Sequence, residues 1–299
     1  MLQVAGGQEG KNDLFDPRLG SVGEGLVCGT CKLNGAQCPG HTSYIQLHEC
    51  VFNIAYIGVI EHVLKCICHK CSKLLLPKEN KTFINGILST EGKHRLRKIK
   101  ELTKNVQICQ ISDYSCGAQV GQVVFDSKDQ TQQYQFVVSY QNDQISKHDE
   151  NTTQTKKILD ANQVYAIFSR ISDEDCTLLG FEPTLSRPEN MVIKNMLVPT
   201  PQIRPQRRAD FAGGSKDDPL TQILVEIIKS DDRIRRQYFK MHKSQSQLQQ
   251  DALTKDQIED YIQSSVDDKQ LLQHNAIVYF DSKSKLLQKN TKNTDAGIC

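Results

Sequence analysis

Four soft-ligand side chains stand within fourteen positions near the start of the chain: Cys28, Cys31, Cys38 and His41, in Leu-Val-Cys-Gly-Thr-Cys-Lys-Leu-Asn-Gly-Ala-Gln-Cys-Pro-Gly-His. A Cys-x-x-Cys pair on a tight turn, closed by a third thiolate and an imidazole, supplies the complete tetrahedral shell of a structural zinc ion. A filled shell leaves no position for water, so such an ion holds a fold together and activates no nucleophile. A second set is more dispersed. Cys68 and Cys71, in Cys-Ile-Cys-His-Lys-Cys, form another Cys-x-x-Cys, and Cys109 with Cys116 further along would complete a shell of four thiolates. The competing reading of this second set is four unbound core cysteines. Cys66 and His69 flank the pair, but Cys66 follows an apolar stretch from Tyr56 to Val63 and reads as a small buried hydrophobe. Cys50, Cys176 and Cys299 are isolated and carry no assigned role.

Eleven cysteines in 299 residues also raise the possibility of disulfides. Three features oppose it. The count is odd, the chain is far longer than scaffolds that depend on disulfides, and its start, Met-Leu-Gln-Val-Ala-Gly-Gly-Gln-Glu-Gly, lacks the basic-then-apolar pattern of a signal peptide. A reducing compartment fits better. No apolar run is long enough to span a bilayer, which speaks against a membrane partner. With 37 basic and 35 acidic residues, affinity for nucleic acid must come from local clusters. Three basic runs qualify: Lys93 to Lys104; Arg204, Arg207 and Arg208; and Lys229 to Lys243, which contains Arg233, Arg235 and Arg236. Each is able to neutralise phosphates, although solvated helix surface is the commoner meaning of any single run.

No catalytic residue stands out. Arg208-Ala-Asp-Phe-Ala-Gly-Gly214 offers one carboxylate, too few for a catalytic metal site, and reads as a glycine-softened loop. Asp173, Glu174 and Asp175 sit at a helix start, where the helix dipole accounts for them.

The elements that position these residues follow from period and punctuation. The first twenty residues read as loose up to the turn-like Asp16-Pro-Arg-Leu-Gly20. Ile45, Leu47, Val51 and Phe52 predict a short extended piece leading into a helix over 53–66, so the metal ligands bracket that helix at both ends. Val123 to Phe125 and Tyr134 to Val138 predict a hairpin, and the polar residues 141–157 an exposed connection. Asp160 caps a helix from Asn162 to Ile171 that buries Val164, Ile167, Phe168 and Ile171. Ser172 with Asp175 starts another, which Gly180 stops. The repeated prolines of Pro199 to Pro205 predict a stiff, extended strut. Pro219 opens a helix with Leu220, Ile223, Leu224, Ile227 and Ile228 toward the core. Ser244 to Asp251 interrupts it; Thr254 and Gln257 then cap a partner helix that buries Ile258, Tyr261, Ile262 and Val266, and the two pack antiparallel.

Taken in order, Asp16-Pro-Arg-Leu-Gly20, Cys28 to His41, Cys66-Ile-Cys-His-Lys-Cys71-Ser-Lys-Leu-Leu, Ile171 to Gly180, Arg187-Pro-Glu-Asn190, Val198 to Pro205 and Asp217-Asp218 with Leu220-Thr221 resemble the N-terminal clamp region of the largest subunit of multisubunit DNA-directed RNA polymerase. Eukaryotic polymerase II is the nearest likeness, with viral and archaeal homologues as competitors. The resemblance runs from about residue 13 to about residue 282. It implies an α+β fold, zinc-stabilised and mostly helical with short hairpins, as a fragment of a larger multidomain chain.

The resemblance further implies a flexible N-terminus over 1–15, a clamp base with both zinc sites over 16–118, a clamp core and head with the helix pair over 119–282, and a frayed end over 283–299. Two structural zinc ions fall on Cys28, Cys31, Cys38 and His41 and on Cys68, Cys71, Cys109 and Cys116. The shorter Cys109 to Cys116 spacing, compared with the family, makes the second site the less secure. The family's catalytic motif, Asn-Ala-Asp-Phe-Asp-Gly-Asp, is missing from this chain, so the full enzyme's magnesium is not bound here. Implied partners are the other polymerase subunits, the DNA template and the nascent RNA, with Arg204, Arg207, Arg208, Arg233, Arg235 and Arg236 as candidate nucleic-acid contacts. The implied location is the nucleus, or the host cell for a virus. A free-standing zinc module that regulates or docks on polymerase or nucleic acid is the alternative, and a zinc hydrolase would require an open metal position.

Overall fold

The computed structural model describes residues 2–4, 12–21, 25–35, 37–76, 81–109, 116–128, 133–140, 155–208, 215–246 and 255–281. It divides into two units, one of residues 1–51 and 194–299, the other of residues 52–193. The two cysteine clusters, expected together within 16–118, fall in different units.

In the first unit, the alternation of Ser43, Ile45 and Leu47 inward against Gln46 and His48 outward is the period of a half-buried strand, and it forms within β2 (Ser43–Phe52). Its neighbours are β1 (Leu2–Val4), parallel to it in the register Leu2↔Ser43 and Val4↔Ile45, and β6 (Val192–Val198). The first twenty residues therefore include a strand. Three residues are too few to show a period, which is why β1 was not legible.

Two long helices, α6 (Pro219–Ser246) and α7 (Lys255–Phe280), complete this unit. Asp218 accepts a hydrogen bond from the Leu220 N–H at 2.9 Å, capping the helix that Pro219 begins. Arg233 bonds Asp268 at 3.0 Å, Gln237 bonds Ser264 and Asp268, and Asn275 bonds Ser230. Rising positions on one helix meet falling positions on the other, so the pair is antiparallel as expected. Leu224, Ile227 and Ile234 are buried on α6 and Leu272, Ala276 and Ile277 on α7, whereas Val266, expected inside, is exposed. The α7 residues 258, 261 and 262, the Thr254 cap and the 283–299 end lie outside what is described at side-chain level. Asp231, itself buried, ties α6 to β2 by accepting from the His48 N–H at 2.6 Å and from Arg235 at 3.0 Å. The Pro199 to Pro205 segment is not an extended strut. Pro201 starts a 3₁₀ turn, Pro201–Ile203, because proline suits the first helical position as well as it suits extended chain.

The second unit begins with a 3₁₀ turn, Ile54–Tyr56, and α1 (Ile57–Cys66), followed by α2 (Lys81–Leu88) and α3 (Gly92–Thr103). α1 packs on α3 and on β3 (Gln122–Lys128). The hairpin forms as predicted with β4 (Gln133–Tyr140), pairing Val123 with Val138 and Phe125 with Phe136. A third strand, β5 (Thr155–Leu159), adds to it where an exposed connection was expected. Only its last residue, Leu159, is buried, so this edge strand has no alternating signature. Phe136 is the hub of this core, with Phe52 edge-on at 5.2 Å and Phe125 at 5.0 Å.

Asp160 caps α4 (Ala161–Phe168) by accepting from the Gln163 N–H. The helix stops at Phe168, short of the expected Ile171, yet Ile171 remains buried through the turn that follows. Ser172 caps α5 (Asp173–Leu179) and Gly180 closes it in the left-handed region at φ +94°, both as read from sequence. Gly180 also meets Gly92 at the start of α3: a Cβ on Gly180 would lie 2.6 Å from the Gly92 carbonyl oxygen. Arg95 fixes the same junction by donating to the carbonyls of Leu88, Thr90 and Thr177. Gly180→Ala is expected to destabilise this unit by about 2 kcal/mol or more, from backbone strain and the collision together. Gly86→Ala, in α2 with no described atom near its Cβ, is expected to stabilise by about 0.5–1 kcal/mol. Denaturant midpoints of the two variants check both signs.

Candidate metal centres

The first cluster is built on a hydrogen-bonded turn. The Cys28 N–H donates to the Leu33 carbonyl at 2.9 Å, and the Lys32 N–H donates to the Cys28 carbonyl at 3.0 Å. Lys32 takes the left-handed conformation at φ +63°, and Val27 bridges Asn34 beyond it. This fold-back presents Cys28 and Cys31 on one side, and Cys38 and His41 arrive from the following turn. All four ligand atoms lie within 4.8 Å of one another, with Cys31 Sγ to Cys38 Sγ at 3.6 Å and Cys38 Sγ to His41 Nε2 at 3.7 Å.

The second cluster repeats the device twice. Cys68 N–H donates to the Lys73 carbonyl, Ser72 N–H donates to the Cys68 carbonyl, Ser72 is left-handed at φ +59°, and Ile67 bridges Leu74. In the third turn Cys109 N–H donates to the Ala118 carbonyl, Gly117 N–H donates to the Cys109 carbonyl, Gly117 is left-handed at φ +64°, and Ile108 bridges Gln119. Counted from the second cysteine of each pair, the three turns are the same despite the longer Cys109 to Cys116 separation. Cys68 Sγ lies 3.5 Å from Cys116 Sγ, and Cys71 Sγ lies 3.8 Å from Cys109 Sγ.

These separations distinguish a set of free thiols at ligand spacing from disulfides. A disulfide needs sulfurs at about 2.05 Å, whereas thiolates about 2.3 Å from a tetrahedral ion stand about 3.8 Å apart. The ten described cysteines are all free of disulfides. Two of the donors also lean toward the thiolate form that a metal requires. Burial opposes ionisation of Cys28, but the backbone N–H groups of Cys31 and Thr30 prevail and hold its thiol at about 6. Cys116 is held at about 7, again against burial, by the Ala118 N–H and the neighbouring thiols. Both donor sets fit a four-coordinate ion. Cys66 is fully buried and pushed up to about 12 by that burial, and His69 Nε2 lies 2.9 Å from the Leu64 carbonyl, so neither is a ligand.

The surroundings explain residues whose purpose the sequence did not reveal. A 3₁₀ turn, Pro17–Leu19, offers its three carbonyls to the first cluster: Pro17 to the Gly29 N–H, Arg18 to the Thr30 hydroxyl and Leu19 to the His41 N–H. Asp16 fixes that turn by accepting from the Asn12 and Arg18 N–H groups and from the Arg18 guanidinium. The hydrogen-bonded Arg18 side chain holds the Asp16 carboxyl well below the usual range although burial opposes this. On the other side, Gly40 at φ +78° leaves room for Thr200 and Gln202, which a Cβ there would meet at 2.7 and 2.6 Å. In the second unit, Asp175 of α5 receives the Leu74 N–H at 3.4 Å, joining that helix to the Cys68 turn.

The candidate nucleic-acid residues scatter. Arg204 is fully buried and donates to the Pro199 and Leu14 carbonyls and to Thr221 Oγ1, so it has no face left for a phosphate. That expectation is corrected: the proline-bounded position put Arg204 in the core. Arg207 and Arg208 form the backbone of β7 (Arg207–Arg208) against β8 (Ser215–Lys216), and their side chains lie outside what is described. Arg233 and Arg235 are paired with Asp268 and Asp231, and Arg236 is exposed. Residues 209–214 lie outside the described residues. Asp173 pairs with Arg187 at the start of α5.

Comparison with known proteins gives this architecture a relationship. The family described as RNA polymerase Rpb1, domain 1, matches residues 3–276. DNA-directed RNA polymerase subunit 1 of Acanthamoeba polyphaga mimivirus is 35% identical over 223 residues, which is 74% of this chain and 15% of that protein. DNA-directed RNA polymerase II subunit RPB1 of Euplotoides octocarinatus is 29% identical over 235 residues, 76% of this chain and 46% of that one. The chain thus spans less than half the length of either relative, and both candidate ligand clusters lie inside the matched span. With nearly its whole length matched, the chain belongs to the RNA polymerase Rpb1 domain 1 family.

Proposed function

We propose that this chain is a clamp-forming part of the largest subunit of a DNA-directed RNA polymerase, holding DNA in the cleft during template-directed RNA synthesis while the catalytic aspartates reside elsewhere. The observation that carries the reading is the pair of closed four-donor metal shells, built on one repeated turn, inside the matched residues 3–276. Three thiolates with an imidazole, and four thiolates, are donor sets of structural zinc, and the histidine of the first favours zinc over an iron–sulfur cluster. Bound zinc supplies cross-linking free energy and no chemistry on substrate. The residues around it do the rest: Asp16 to Leu19 brace the first shell and Asp175 the second, so that each shell stiffens the unit it belongs to. Basic side chains then grip phosphates without reading sequence. The partners on this reading are the other polymerase subunits, template DNA and nascent RNA. The viral and polymerase II relatives are consistent with a nuclear or host-cell location.

Three outcomes test it. Elemental analysis is expected to find about two zinc ions per chain, falling to about one in Cys31→Ser, with loss of protease resistance in the 1–51 region, because metal-binding free energy here is folding free energy. Acid titration of the metal-bound chain is expected to show a loss of stability that Asp16→Asn has already suffered. The Asp16 carboxyl is depressed in the folded state, so its contribution is complete above about pH 4 and fades as pH falls through the lower folded value. Affinity purification is expected to recover the other polymerase subunits with this chain; recovery of the chain alone and soluble would favour a free-standing regulator.

A further inference from the structure

The fold sorts the basic runs by what their charges already hold. Arg204 is spent in the core, and on α6 Lys229, Arg233 and Arg235 pair with Glu226, Asp268 and Asp231 at 2.9 to 3.0 Å. The α3 run is different. The helix reads Gly-Lys-His-Arg-Leu-Arg-Lys-Ile-Lys-Glu-Leu-Thr, with Glu101 its single carboxylate. Arg95 turns to backbone carbonyls, and Lys98 reaches the Gly86 carbonyl at 3.5 Å. Arg97, Lys100 and, at the C-cap, Lys104 form no ion pair with any carboxylate among the described residues.

Their places on the helix are ordered. Leu96, Ile99 and Thr103 are buried, and Arg97, Lys100 and Lys104, each one position on, form a parallel stripe about 100° round the helix. The stripe is about 10 Å long at 1.5 Å per residue. It runs beside α1, which packs on α3 and contributes His62 and Lys65. Burial lowers the pKa of the His62 imidazole, and Lys100, Lys65 and Arg97 lower it further, against an opposing Glu61, so these cations share one neighbourhood. Lys65 alone is partly offset, by Glu61 at 2.5 Å.

Like charges three and four positions apart destabilise a helix, and among the described residues no carboxylate, Glu101 included, forms an ion pair with these three. We infer that the stripe of Arg97, Lys100 and Lys104, flanked by Lys65 and His62, is a docking surface for the phosphate backbone of a nucleic acid. A row of point charges with no aromatic residue on α3 lacks the anchors that protein interfaces use, and it matches a linear polyanion whose strands carry a charge about every 3.4 Å. This deepens the polymerase reading by stating which basic run meets nucleic acid.

The test titrates the full 299-residue chain, with its metal, against a labelled duplex of arbitrary sequence between about 50 and 200 mM salt. Arg97→Gln/Lys100→Gln/Lys104→Gln is expected to weaken binding roughly a hundredfold near 0.1 M salt and to flatten the salt dependence by about three contacts; each single change flattens it by about one. Lys269→Gln, which removes a cation outside the three basic runs that pairs with Glu49 at 2.9 Å, is expected to leave the slope unchanged, and unaltered zinc content verifies folding of every variant. The inference is overturned if the triple variant keeps the wild-type slope, if the wild type binds duplex no better than the triple variant, or if the loss is confined to polyglutamate, an acidic-protein mimic. Co-purification with polymerase subunits reads separately: its failure in the wild type would strike the polymerase assignment and leave this surface standing.

Discussion

Two backbone hydrogen bonds that cross each cysteine turn set the terms for everything built around the two ligand clusters. The N–H after the second cysteine reaches the first cysteine's carbonyl, and the first cysteine's N–H reaches the carbonyl one residue further on. Both bonds require a left-handed residue directly after the second cysteine. Gly117 adopts that conformation freely; Lys32 and Ser72 do so at a cost of about 1–2 kcal/mol each. Ion binding, at about 10–16 kcal/mol for structural zinc, readily offsets such strain. Without an ion, the same turns would hold several thiols at mutual distances near 3.5 Å with little to keep them there.

Around the clusters, buried polar groups act as fixed joints. Arg204 binds the N-terminal segment, the proline turn and α6 through three acceptors, and Asp231 binds β2 to α6. Burial lowers the pKa of the Arg204 guanidinium and raises that of the Asp231 carboxyl, so each joint depends on its hydrogen bonds being complete. Removing the acceptors around Arg204 or the donors around Asp231 would leave an uncompensated charge in the interior. The first unit therefore owes its arrangement to a buried cation and a buried anion as much as to apolar packing.

What was legible in the sequence was mostly local. Cap chemistry at Asp160, Ser172 and Gly180 and the β3–β4 hairpin are each decided by a few adjacent residues and formed as read, and the ligand atoms from Cys28 to His41 converge within 4.8 Å. Readings that depended on distant partners fared less well. β1 and β5 are too short or too exposed to carry a period, Val266 sits at core spacing on a face that the partner helix does not cover, and Pro201 begins a turn where a stiff strut was expected. Arg204 looked like a surface cation because its acceptors lie up to 190 positions away in the chain. Cys68, Cys71, Cys109 and Cys116 are the exception, a set read as a possible four-thiolate shell and brought together across a separation of 38 positions between Cys71 and Cys109.

All three cysteine turns close in the same way, and the longer spacing of the third shows what that implies. Its closing bonds involve only Cys109, Gly117 and Ala118, so the number of residues between the two ligands does not enter the geometry of the metal shell. Lengthening that connection costs only closure entropy, about 0.6 kcal/mol for each doubling. Ligand separation at this point is therefore free to change while the closing hydrogen bonds of the turn stay the same. The same freedom makes it a natural place to graft a peptide without disturbing the four thiols.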